Sequence, residues 1–575
     1  MLKLPYGQSN FEKVIIEDFF YQDRTAYIRV LEASPAFVYH LRPRRFGKSL
    51  FVSMLQYYYA LENQSKFKDI FGKLDIGKNP TPLANQYMVL IFEFSGIATH
   101  TPENTFKGFL KSVRDSVRVF LKQYEAFFPA DIFQSIIEQE QPSAVLRELF
   151  VHYKTISTIK NLPKIYLLID EYDHFANELI SFNFDFFAKS VTENGFVRKF
   201  YEVLKMATWN GIIDRLFITG VSPVTLDSMT SGFNIGTNIS LFEEFHEMLG
   251  FEEKEVQGIM KGIGVKITEL TQVMNDLRAW YDGYLFNINA KSHVYNPDMV
   301  LYFSVRYQRN KKYPDQLLDS NIASDYSKIR NIFKIQQNED SHLNTLRILS
   351  DTGEITAELT TEFSLIKNFK QDDLVSLLFY MGFLTIRAEE LGSLIFTFPN
   401  YVIKKLYTEY FLSMLEEQAN LPIDNSKLNF AIRELAKWGN PEYLYQQVRD
   451  VVNVLSARDA KDFNEMSLKA IFVSLVHQQK FYYVHSEFGS GNQYVDVFLE
   501  TIRGYATKFD VAFELKYVKK GEKIDVEKNL DKAEIQLMNY MVKKKFNQRP
   551  NLKAFVVLVH GTVLYQREMN LEISN

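Results

Sequence analysis

The stretch FVYHLRPRRFGKS, residues 37–49, decides the fold of the first part of this chain. The apolar run Ala36–Leu41 is typical of a buried strand, and a helical pattern begins at Lys48 and continues to Tyr59. The basic loop between them ends in Gly-Lys-Ser. Strand, loop and helix in this order suit a phosphate-binding loop, because the loop N–H groups can surround phosphates while the helix N-terminus points at them.

Further strands and helices alternate on both sides of this stretch. Strands are predicted over Tyr87–Phe94, Lys164–Ile169 and Arg215–Thr219, with helical patterns between them, for example over Thr105–Tyr124 and Phe196–Thr208. Alternation of this kind predicts an α/β domain with a mostly parallel sheet.

The pattern changes twice more along the chain. Helical segments dominate from about Leu249 to about residue 430, and a new α/β unit follows after about Asn440. Its predicted order is α-β-β-β-α-β, over Phe463–Val476, Phe481–Glu487, Gln493–Leu499, Phe509–Val518, Val526–Lys545 and Leu552–His560. The sequence therefore predicts three domains: a P-loop NTPase domain at 1–245, a helical lid or winged-helix-like region at 246–435, and a third domain at 436–575.

Composition narrows the class of protein. The 575 residues are too many for one hydrophobic core, and 46% hydrophobic with 24% charged residues is an ordinary globular balance. The absence of cysteine excludes disulfides, thiolate metal sites and cysteine nucleophiles. A net charge of -4 gives no global basic signature, so any contact with nucleic acid must come from a local patch.

The chain carries no membrane signal. Its first residues lack the apolar core of a signal peptide, and the longest apolar runs, such as Ile165–Ile169 and Ala554–Val559, have only the length of a strand. We therefore expect a cytoplasmic protein without a membrane partner.

Two segments predict the nucleotide site. Lys48 would contact the β- and γ-phosphates, and Ser49 would ligate Mg²⁺. The first glycine of the usual G-x-x-x-x-G-K-[ST] pattern is replaced by Arg42, so the entry to the loop must be built differently. Asp170 and Glu171 end a buried strand, as in a Walker B element. Asp170 would hold Mg²⁺ through water, and Glu171 would orient or deprotonate the attacking water.

A third strand end contributes one more candidate. Thr219 lies at the end of the predicted strand Arg215–Thr219, where its hydroxyl could sense the γ-phosphate.

Arg44 and Arg45 have two open interpretations. Either could face phosphates as an arginine finger, in cis or in trans, or both could form surface ion pairs.

The segment RPRRFGKSL, residues 42–50, resembles the RPRRFGKS signature of the bacterial AAA-ATPase-like family. Other segments resemble the same family in the same order, and together the matches span about residues 10–400. They are Phe20–Thr25, Leu168–Asp173, Thr219–Ser222, Trp280–Tyr284 with Phe286, Tyr295–Pro297, and Gly382–Ile386.

The resemblance implies a STAND-like NTPase that acts as a slow ATP-dependent switch or assembly motor. It implies that ATP is held with Mg²⁺ by the loop residues Arg44, Arg45, Phe46, Gly47, Lys48, Ser49 and Leu50, and that an arginine at position 42 is the pattern of the family. The family often carries a C-terminal PD-(D/E)XK nuclease domain.

The C-terminal unit contains candidate residues for such chemistry. Glu514 and Lys516 share one face of a strand because they are two residues apart, and a hairpin can bring Asp496 beside them. Two carboxylates on neighbouring strands can bind Mg²⁺, and a nearby lysine can activate water or stabilise the phosphate. The pattern Asp…Glu-x-Lys resembles the PD-(D/E)XK core.

Supporting residues surround this pattern. They are Glu465 at the start of a helix, Glu487 before a glycine-containing turn, and Gln536 with Tyr540 one turn apart on the following helix. Residues 501–550 hold twelve Lys/Arg and seven Asp/Glu, and Lys543–Lys545 closes the helix. This patch suits contact with a DNA backbone, although a solvated helix end explains the three lysines equally well.

The sequence therefore leaves two functions open. The first is an ATP-binding and ATP-hydrolysing switch that controls a C-terminal Mg²⁺-dependent DNA nuclease. The second is an NTP-dependent sensor or scaffold whose C-terminal domain binds nucleic acid or protein without cleavage. A DNA-end processor is a third option, and whether the chain forms a homo-oligomer is open.

Overall fold

The structure is a computed structural model of the 575-residue chain. The structure describes residues 2–176, 179, 184–191, 194–223, 235–314, 316–319, 345–349, 352–361, 363, 370–419, 423–458, 464–477, 482–489, 494–502, 507–541, 546, 549 and 551–569. Within some of these helices and strands, it describes the backbone but not every side chain.

Five parallel strands form the sheet of the first part of the chain. They are β1 (Phe37–Leu41), β2 (Met88–Glu93), β3 (Ile165–Asp170), β4 (Ile213–Gly220) and β5 (Thr237–Asn238). Their order is β2-β3-β4-β1-β5, so β1 lies between β4 and β5. The predicted parallel α/β sheet is confirmed, with four strands where the sequence placed them and the short β5 in addition.

Helices cover this sheet, and their ends follow local chemistry. The helix Pro102–Gln123 begins where the Thr101 hydroxyl accepts from the Asn104 N–H and proline occupies the first turn. The helices that precede the middle region are Phe11–Ile16, Tyr27–Ala33, Lys48–Tyr59, Phe67–Phe71, Asp75–Lys78, Pro102–Gln123, Asp131–Ile137, Pro142–Ser157, Phe184–Val191 and Phe196–Trp209.

The middle region combines helices with a small sheet. Its helices are Glu253–Gly262, Ile267–Tyr281, Pro297–Asn310 and Gln371–Tyr380, and its sheet has the order β6-β8-β7, with β6 at Glu354–Ala357, β7 at Thr385–Glu390 and β8 at Ser393–Thr397. The middle region thus contains strands as well as helices, and β7 and β8 form an antiparallel hairpin. Leu391 and Gly392 both have positive φ (51° and 87°), which a tight hairpin turn requires.

The chain divides into two compact units, residues 1–339 with 356–400 and residues 340–355 with 401–575. This division differs from the predicted boundaries at 245 and 435. Of the middle region, residues 246–339 and 356–400 belong to the same unit as the first sheet. The helix Asn425–Trp438 belongs to the second unit because its apolar face is part of that unit's core.

The second unit contains a mixed five-stranded sheet in the order β13-β12-β11-β10-β9. Its strands are β9 (Tyr482–Gly489), β10 (Tyr494–Thr501), β11 (Asp510–Val518), β12 (Leu552–His560) and β13 (Val563–Glu568). Its helices are Tyr401–Ala419, Asn425–Trp438, Glu442–Arg458, Glu465–His477 and Val526–Met541. The predicted order α-β-β-β-α-β is present, and β13, which pairs antiparallel with β12, was missed.

Two apolar cores cover the faces of this sheet. Phe513 and Leu515 of β11 pack with the helix Glu465–His477, whereas Ala512 packs with the helix Val526–Met541 on the other face. The alternation follows from the period of two in a strand. Among the described residues, no helix is long and apolar enough to cross a membrane.

Candidate functional site

The loop after β1 has the backbone of a phosphate-binding loop. Gly47 adopts a left-handed conformation (φ 90°), which favours glycine, and Lys48 begins the helix that continues to Tyr59. Ser49 and Leu50 follow in its first turn. N–H groups in the first turn of a helix have no partner within the helix, so they can serve an anionic ligand.

The Lys48 side chain is buried inside this loop. Its ammonium donates to the backbone oxygens of Arg42 and Pro43, both at 2.9 Å. Burial lowers the pKa of Lys48, and the carboxylates of Glu171 and Asp170 act against that shift. The loop thus holds a cation among neutral oxygens, where phosphate oxygens can become its partners.

Arg42 explains how the loop forms without its first glycine. The guanidinium points away from the loop and donates to the backbone oxygens of Leu41 (3.0 Å), Ser240 (2.7 Å) and Phe245 (2.9 Å). It also stacks on the Phe286 ring, 4.1 Å from the centroid. Burial lowers the pKa of Arg42, yet an arginine remains protonated in proteins. Arg42 therefore has a structural role: it connects β1 to residues 240–286.

Two further loop residues attach to the middle region. The buried Phe46 ring makes edge contacts with Tyr284 and Phe286, with centroids 5.0 and 5.5 Å apart. Gly382 lies against Pro43 so closely that a Cβ there would approach the proline ring to 2.7 Å. The Phe46 ring therefore packs in an aromatic cluster, and its expected contact with nucleotide stays a prediction.

The acids at the end of β3 lie close to the loop. The buried Asp170 accepts hydrogen bonds from the Thr219 hydroxyl and from the Glu171 N–H (3.0 Å). Thr219 thus orients Asp170, and its predicted role as a sensor of the γ-phosphate stays a prediction. Glu171 has a positive φ of 51°, and burial raises its pKa while Lys48 acts in the opposite direction. A raised pKa favours proton acceptance near neutral pH.

Asp173 was not predicted as a site residue. Its buried carboxylate accepts from the N–H groups of Val221 (3.1 Å) and Ser222 (2.7 Å), and the Tyr172 hydroxyl donates to the Ser222 backbone oxygen (2.6 Å). These contacts clamp the segment after β3 to the end of β4. The signal in the sequence that could have identified Asp173 was the second aspartate in Asp-Glu-Tyr-Asp, residues 170–173.

A cavity of about 470 Å³ connects the loop with Glu171. Arg44, Arg45, Phe46, Gly47, Lys48, Ser49 and Leu50 all line it. Arg45 lies 3.8 Å from the Asp298 carboxylate, and its side chain is 37% exposed. Arg44 is close enough to Glu171 to act, with Lys48, against the rise in the pKa of that carboxyl group. Both arginines thus face the cavity.

The opposite wall of the cavity was not predicted. It comes from three segments distant in sequence, within residues 5–24, 248–251 and 297–301. Arg24 joins two of them, because its guanidinium binds the Glu255 carboxylate through two hydrogen bonds of 2.7 Å and also donates to the Gly250 oxygen (2.7 Å). The family-like segments Phe20–Thr25 and Tyr295–Pro297 contribute residues to this wall, but the sequence did not assign them to the nucleotide site.

The second unit brings four of its candidate residues together. The Lys516 ammonium lies 3.1 Å from Glu514 and 3.2 Å from Glu465, and Asp496 accepts from the Leu515 N–H at 2.9 Å. Burial acts to lower the pKa of Lys516, but the carboxylates of Glu514 and Glu465 raise it overall. We call these residues, with Lys469 described next, the carboxylate–lysine cluster.

Lys469 is a member of the cluster that the sequence did not suggest. It lies on the helix Glu465–His477, one turn after Glu465, and is 5% exposed. Its ammonium is 3.7 Å from the Asp496 carboxylate. A lysine within a strongly apolar helix was the available signal.

Glu514 gives the observation that bears on a metal ion. It is fully buried, and neither carboxylate oxygen accepts a well-formed hydrogen bond from a described group, although Lys516 is near. Burial and the neighbouring Asp496 raise the pKa of Glu514 to about 7. Such a buried, under-bonded carboxylate fits a cation ligand. Within the described part of the chain, however, no three His, Cys, Asp or Glu side chains are grouped as a metal site.

The remaining candidates do not join the cluster in the described contacts. The Gln536 amide donates to the Tyr540 hydroxyl (2.9 Å) on their common helix. Glu487 lies in β9, but its side chain falls outside the described residues, as do Lys543–Lys545.

Comparisons with known proteins found one matching family, one similar sequence and one similar solved structure. Residues 5–230 match the AAA-ATPase-like family, described as "Predicted AAA-ATPase". An uncharacterised protein from the region 5′ of vnfD in Azotobacter chroococcum mcd 1 is 25% identical over 315 residues, which are 53% of this chain and 52% of that protein. The match thus spans about half the length of that relative.

A solved structure is also similar. The Walker-type ATPase of Pyrococcus abyssi shares 12% identity with a TM-score of 0.39, over 70% of this chain and 98% of that one. The family match includes the loop, the acids at the end of β3 and the strands β1 to β4 of the parallel sheet. Over residues 5–230, the chain is therefore similar to the AAA-ATPase-like family.

Proposed function

We propose that the chain binds ATP with Mg²⁺ in the cavity beside Gly47 and hydrolyses it there. The observation that carries the proposal is that Lys48, Ser49 and Glu171 line one cavity at the carboxyl ends of β1 and β3. Cation, hydroxyl and carboxylate are the groups that phosphoryl transfer to water requires.

Each residue has a distinct task in this proposal. Lys48 exchanges the oxygens of Arg42 and Pro43 for phosphate oxygens. Ser49 and the Thr219-oriented Asp170 would hold Mg²⁺, which supplies charge neutralisation at the phosphates. Glu171 accepts the proton of the attacking water, a task that its raised pKa suits.

Asp170→Asn tests the assignment of Mg²⁺. ATP hydrolysis should fall by roughly 10²-fold, because one ligand charge at the ion is lost, whereas nucleotide binding measured in EDTA should persist. Hydrolysis at the wild-type rate in Asp170→Asn would show that the Mg²⁺ site lies elsewhere.

We further propose that the second unit is a metal-dependent nuclease. The supporting observation is the convergence of Asp496, Glu514 and Lys516 on neighbouring strands of an α-β-β-β-α-β unit. Asp496 and Glu514 would hold Mg²⁺, which supplies a Lewis acid for phosphodiester hydrolysis. Lys516 would orient water or stabilise the charge that develops on the phosphate.

The experiment is incubation of the purified chain with linear, circular and single-stranded DNA, with Mg²⁺ or Mn²⁺, and with or without ATP. Asp496→Ala should lose metal binding and cleavage, while DNA binding persists. Lys516→Ala should keep metal binding and lose cleavage. ATP hydrolysis should survive in both variants. Metal-dependent cutting by Asp496→Ala would defeat the assignment.

The alternative is a sensor or scaffold whose second unit binds DNA or protein without cleavage. Among the described residues, no three His, Cys, Asp or Glu side chains are placed so that they could hold a metal ion together, which favours this alternative. On this alternative, wild type never cuts any of the three DNA forms, and substitutions in the cluster change binding alone.

Control by ATP is the last part of the proposal. The loop touches the middle region through Arg42, Pro43 and Phe46, so a loop that rearranges around phosphates can alter residues 246–400. A switch requires contacts that differ between its states. ATP should therefore change the protease sensitivity of this region, and identical digestion with and without ATP would contradict the switch.

A further inference from the structure

The two lysines of the carboxylate–lysine cluster have different surroundings. Lys516 lies within 3.2 Å of two carboxylates, those of Glu514 and Glu465. Lys469 is 3.7 Å from Asp496, beyond the length of a good hydrogen bond. The contact of Lys469 with Asp496 is therefore the weaker of these ion pairs.

The Asp496 carboxylate has one oxygen fixed and one oxygen facing this lysine. Oδ2 accepts from the Leu515 N–H at 2.9 Å, and Oδ1 faces the Lys469 ammonium. The backbone bond orients the carboxylate whether or not the lysine is present. Oδ1 is thus the oxygen available for exchange of one cation for another.

Charge also favours an exchange. When all groups are ionised, the cluster contains three carboxylates (Asp496, Glu514 and Glu465) and two ammonium groups. One negative charge is in excess, so a divalent ion leaves one positive charge in excess. An anion such as a phosphodiester would then restore neutrality, and a nearby ammonium would help to hold it.

We propose that Lys469 and a divalent cation are alternative partners of the Asp496 carboxylate, so that metal binding releases Lys469 to contact a phosphate of the nucleic acid. The inference rests on the proposed nuclease and adds a residue to its phosphate-binding site. It predicts opposite signs for two affinities, which a purely structural lysine would not produce. Removal of the lysine should strengthen metal binding and weaken phosphate binding.

The test uses the full-length chain without nucleotide. Mn²⁺ binding is measured by electron paramagnetic resonance, and Asp496→Asn identifies the ions held elsewhere. Lys469→Met should bind Mn²⁺ about tenfold more tightly than wild type, because a repelling and competing charge is gone. Lys469→Gln should do the same, and it carries the test if Lys469→Met fails to fold.

The second measurement is the affinity for a labelled linear duplex DNA in Ca²⁺. It should fall severalfold in the Lys469 variants. The matched control is Lys553→Met, which removes a lysine of the same unit that pairs with Glu568 at 2.8 Å outside the cluster. This control should change neither affinity.

The outcomes separate the two proposals. Unchanged or weaker Mn²⁺ binding in a folded Lys469 variant would overturn the exchange. Tighter Mn²⁺ binding with unchanged DNA affinity would overturn the contact with phosphate. A wild type that binds Mn²⁺ through Asp496 but cuts no DNA would defeat the nuclease and leave the exchange in place.

Discussion

The P-loop and the carboxylate–lysine cluster each contain a lysine with close oxygen partners, but the charges of these partners differ. Lys48 donates to neutral backbone oxygens, whereas Lys516 lies between two carboxylates. The first arrangement has a positive charge available for an anion. The second has an excess of negative charge, which suits a cation. The contrast supports the proposal of nucleotide at the first site and metal at the second, and each site can be disturbed separately.

The largest effect is expected from Glu171→Gln. Loss of the proton acceptor should reduce ATP turnover by roughly 10²–10⁴-fold while ATP binding is retained. The measurements are steady-state phosphate release and equilibrium binding of ATP. Glu93→Gln is the control, because Glu93 pairs in register with Asp170 at the neighbouring strand end and binds Ser95 instead of the loop.

That control should retain turnover close to wild type. Equal losses in Glu93→Gln and Glu171→Gln would indicate a general disturbance of the strand ends. Binding of Mn²⁺ at the cluster should not change in either variant, which sharpens the separation of the two sites.

Arg42→Ala is expected to destabilise the chain by about 3–5 kcal/mol, because a buried cation and its bonds to three backbone oxygens are removed. Arg42→Gly should behave alike, although it restores the usual motif. Urea unfolding of the full chain measures the change. Arg45→Ala is the control, with an expected loss below about 1 kcal/mol for a partly exposed pair at 3.8 Å. An Arg42→Gly variant as stable as wild type would contradict the structural role of Arg42.

The cluster should respond to pH near neutrality. The pKa of Glu514 is raised to about 7, and a metal binds the ionised form, so Mn²⁺ affinity should fall by about tenfold per unit below pH 7. Without metal, the free energy of unfolding should depend on pH in the opposite direction. Protonated Glu514 stabilises the folded chain fully below the ordinary pKa of a glutamate, and this stabilisation is lost as pH rises through about 7.

Titration of Mn²⁺ at several pH values checks both statements, together with urea unfolding without metal. Glu514→Gln should remove the pH-dependent step. Mn²⁺ affinity that stays constant between pH 6 and 8 would contradict the proposed ligand role of Glu514.

The smallest effect is expected from Thr219→Val. The substitution removes the hydroxyl that orients Asp170, and turnover should fall by about tenfold with little change in ATP binding. Thr208→Val removes a hydroxyl that bonds the Lys205 oxygen on a helix, and it should have no effect on turnover. If Thr219→Val abolished ATP binding, the predicted role of Thr219 as a phosphate sensor would be favoured over orientation.

The two sites also differ in how well sequence predicts them. The loop was predictable because residues 42–49 are contiguous and their order reflects one local geometry. The opposite wall of its cavity was not predictable, because Arg24 and Glu255 come together only in the tertiary fold. Lys469 was missed for the same reason, since its contact with Asp496 joins a helix to a strand. The sequence also gives little guide to the predicted boundary at 435, because burial of the helix Asn425–Trp438 depends on a sheet formed later in the chain.

The central claim is that ATP is bound and hydrolysed at the loop that ends in Lys48. The most direct measurement is ATP binding and Mg²⁺-dependent phosphate release by wild type and Lys48→Ala, with Lys66→Ala as the control because that exposed lysine pairs with Glu12. Wild type and Lys66→Ala should both bind and hydrolyse ATP. Lys48→Ala should lose binding and reduce hydrolysis by roughly 10²–10³-fold. Hydrolysis by Lys48→Ala at the wild-type rate would contradict the claim.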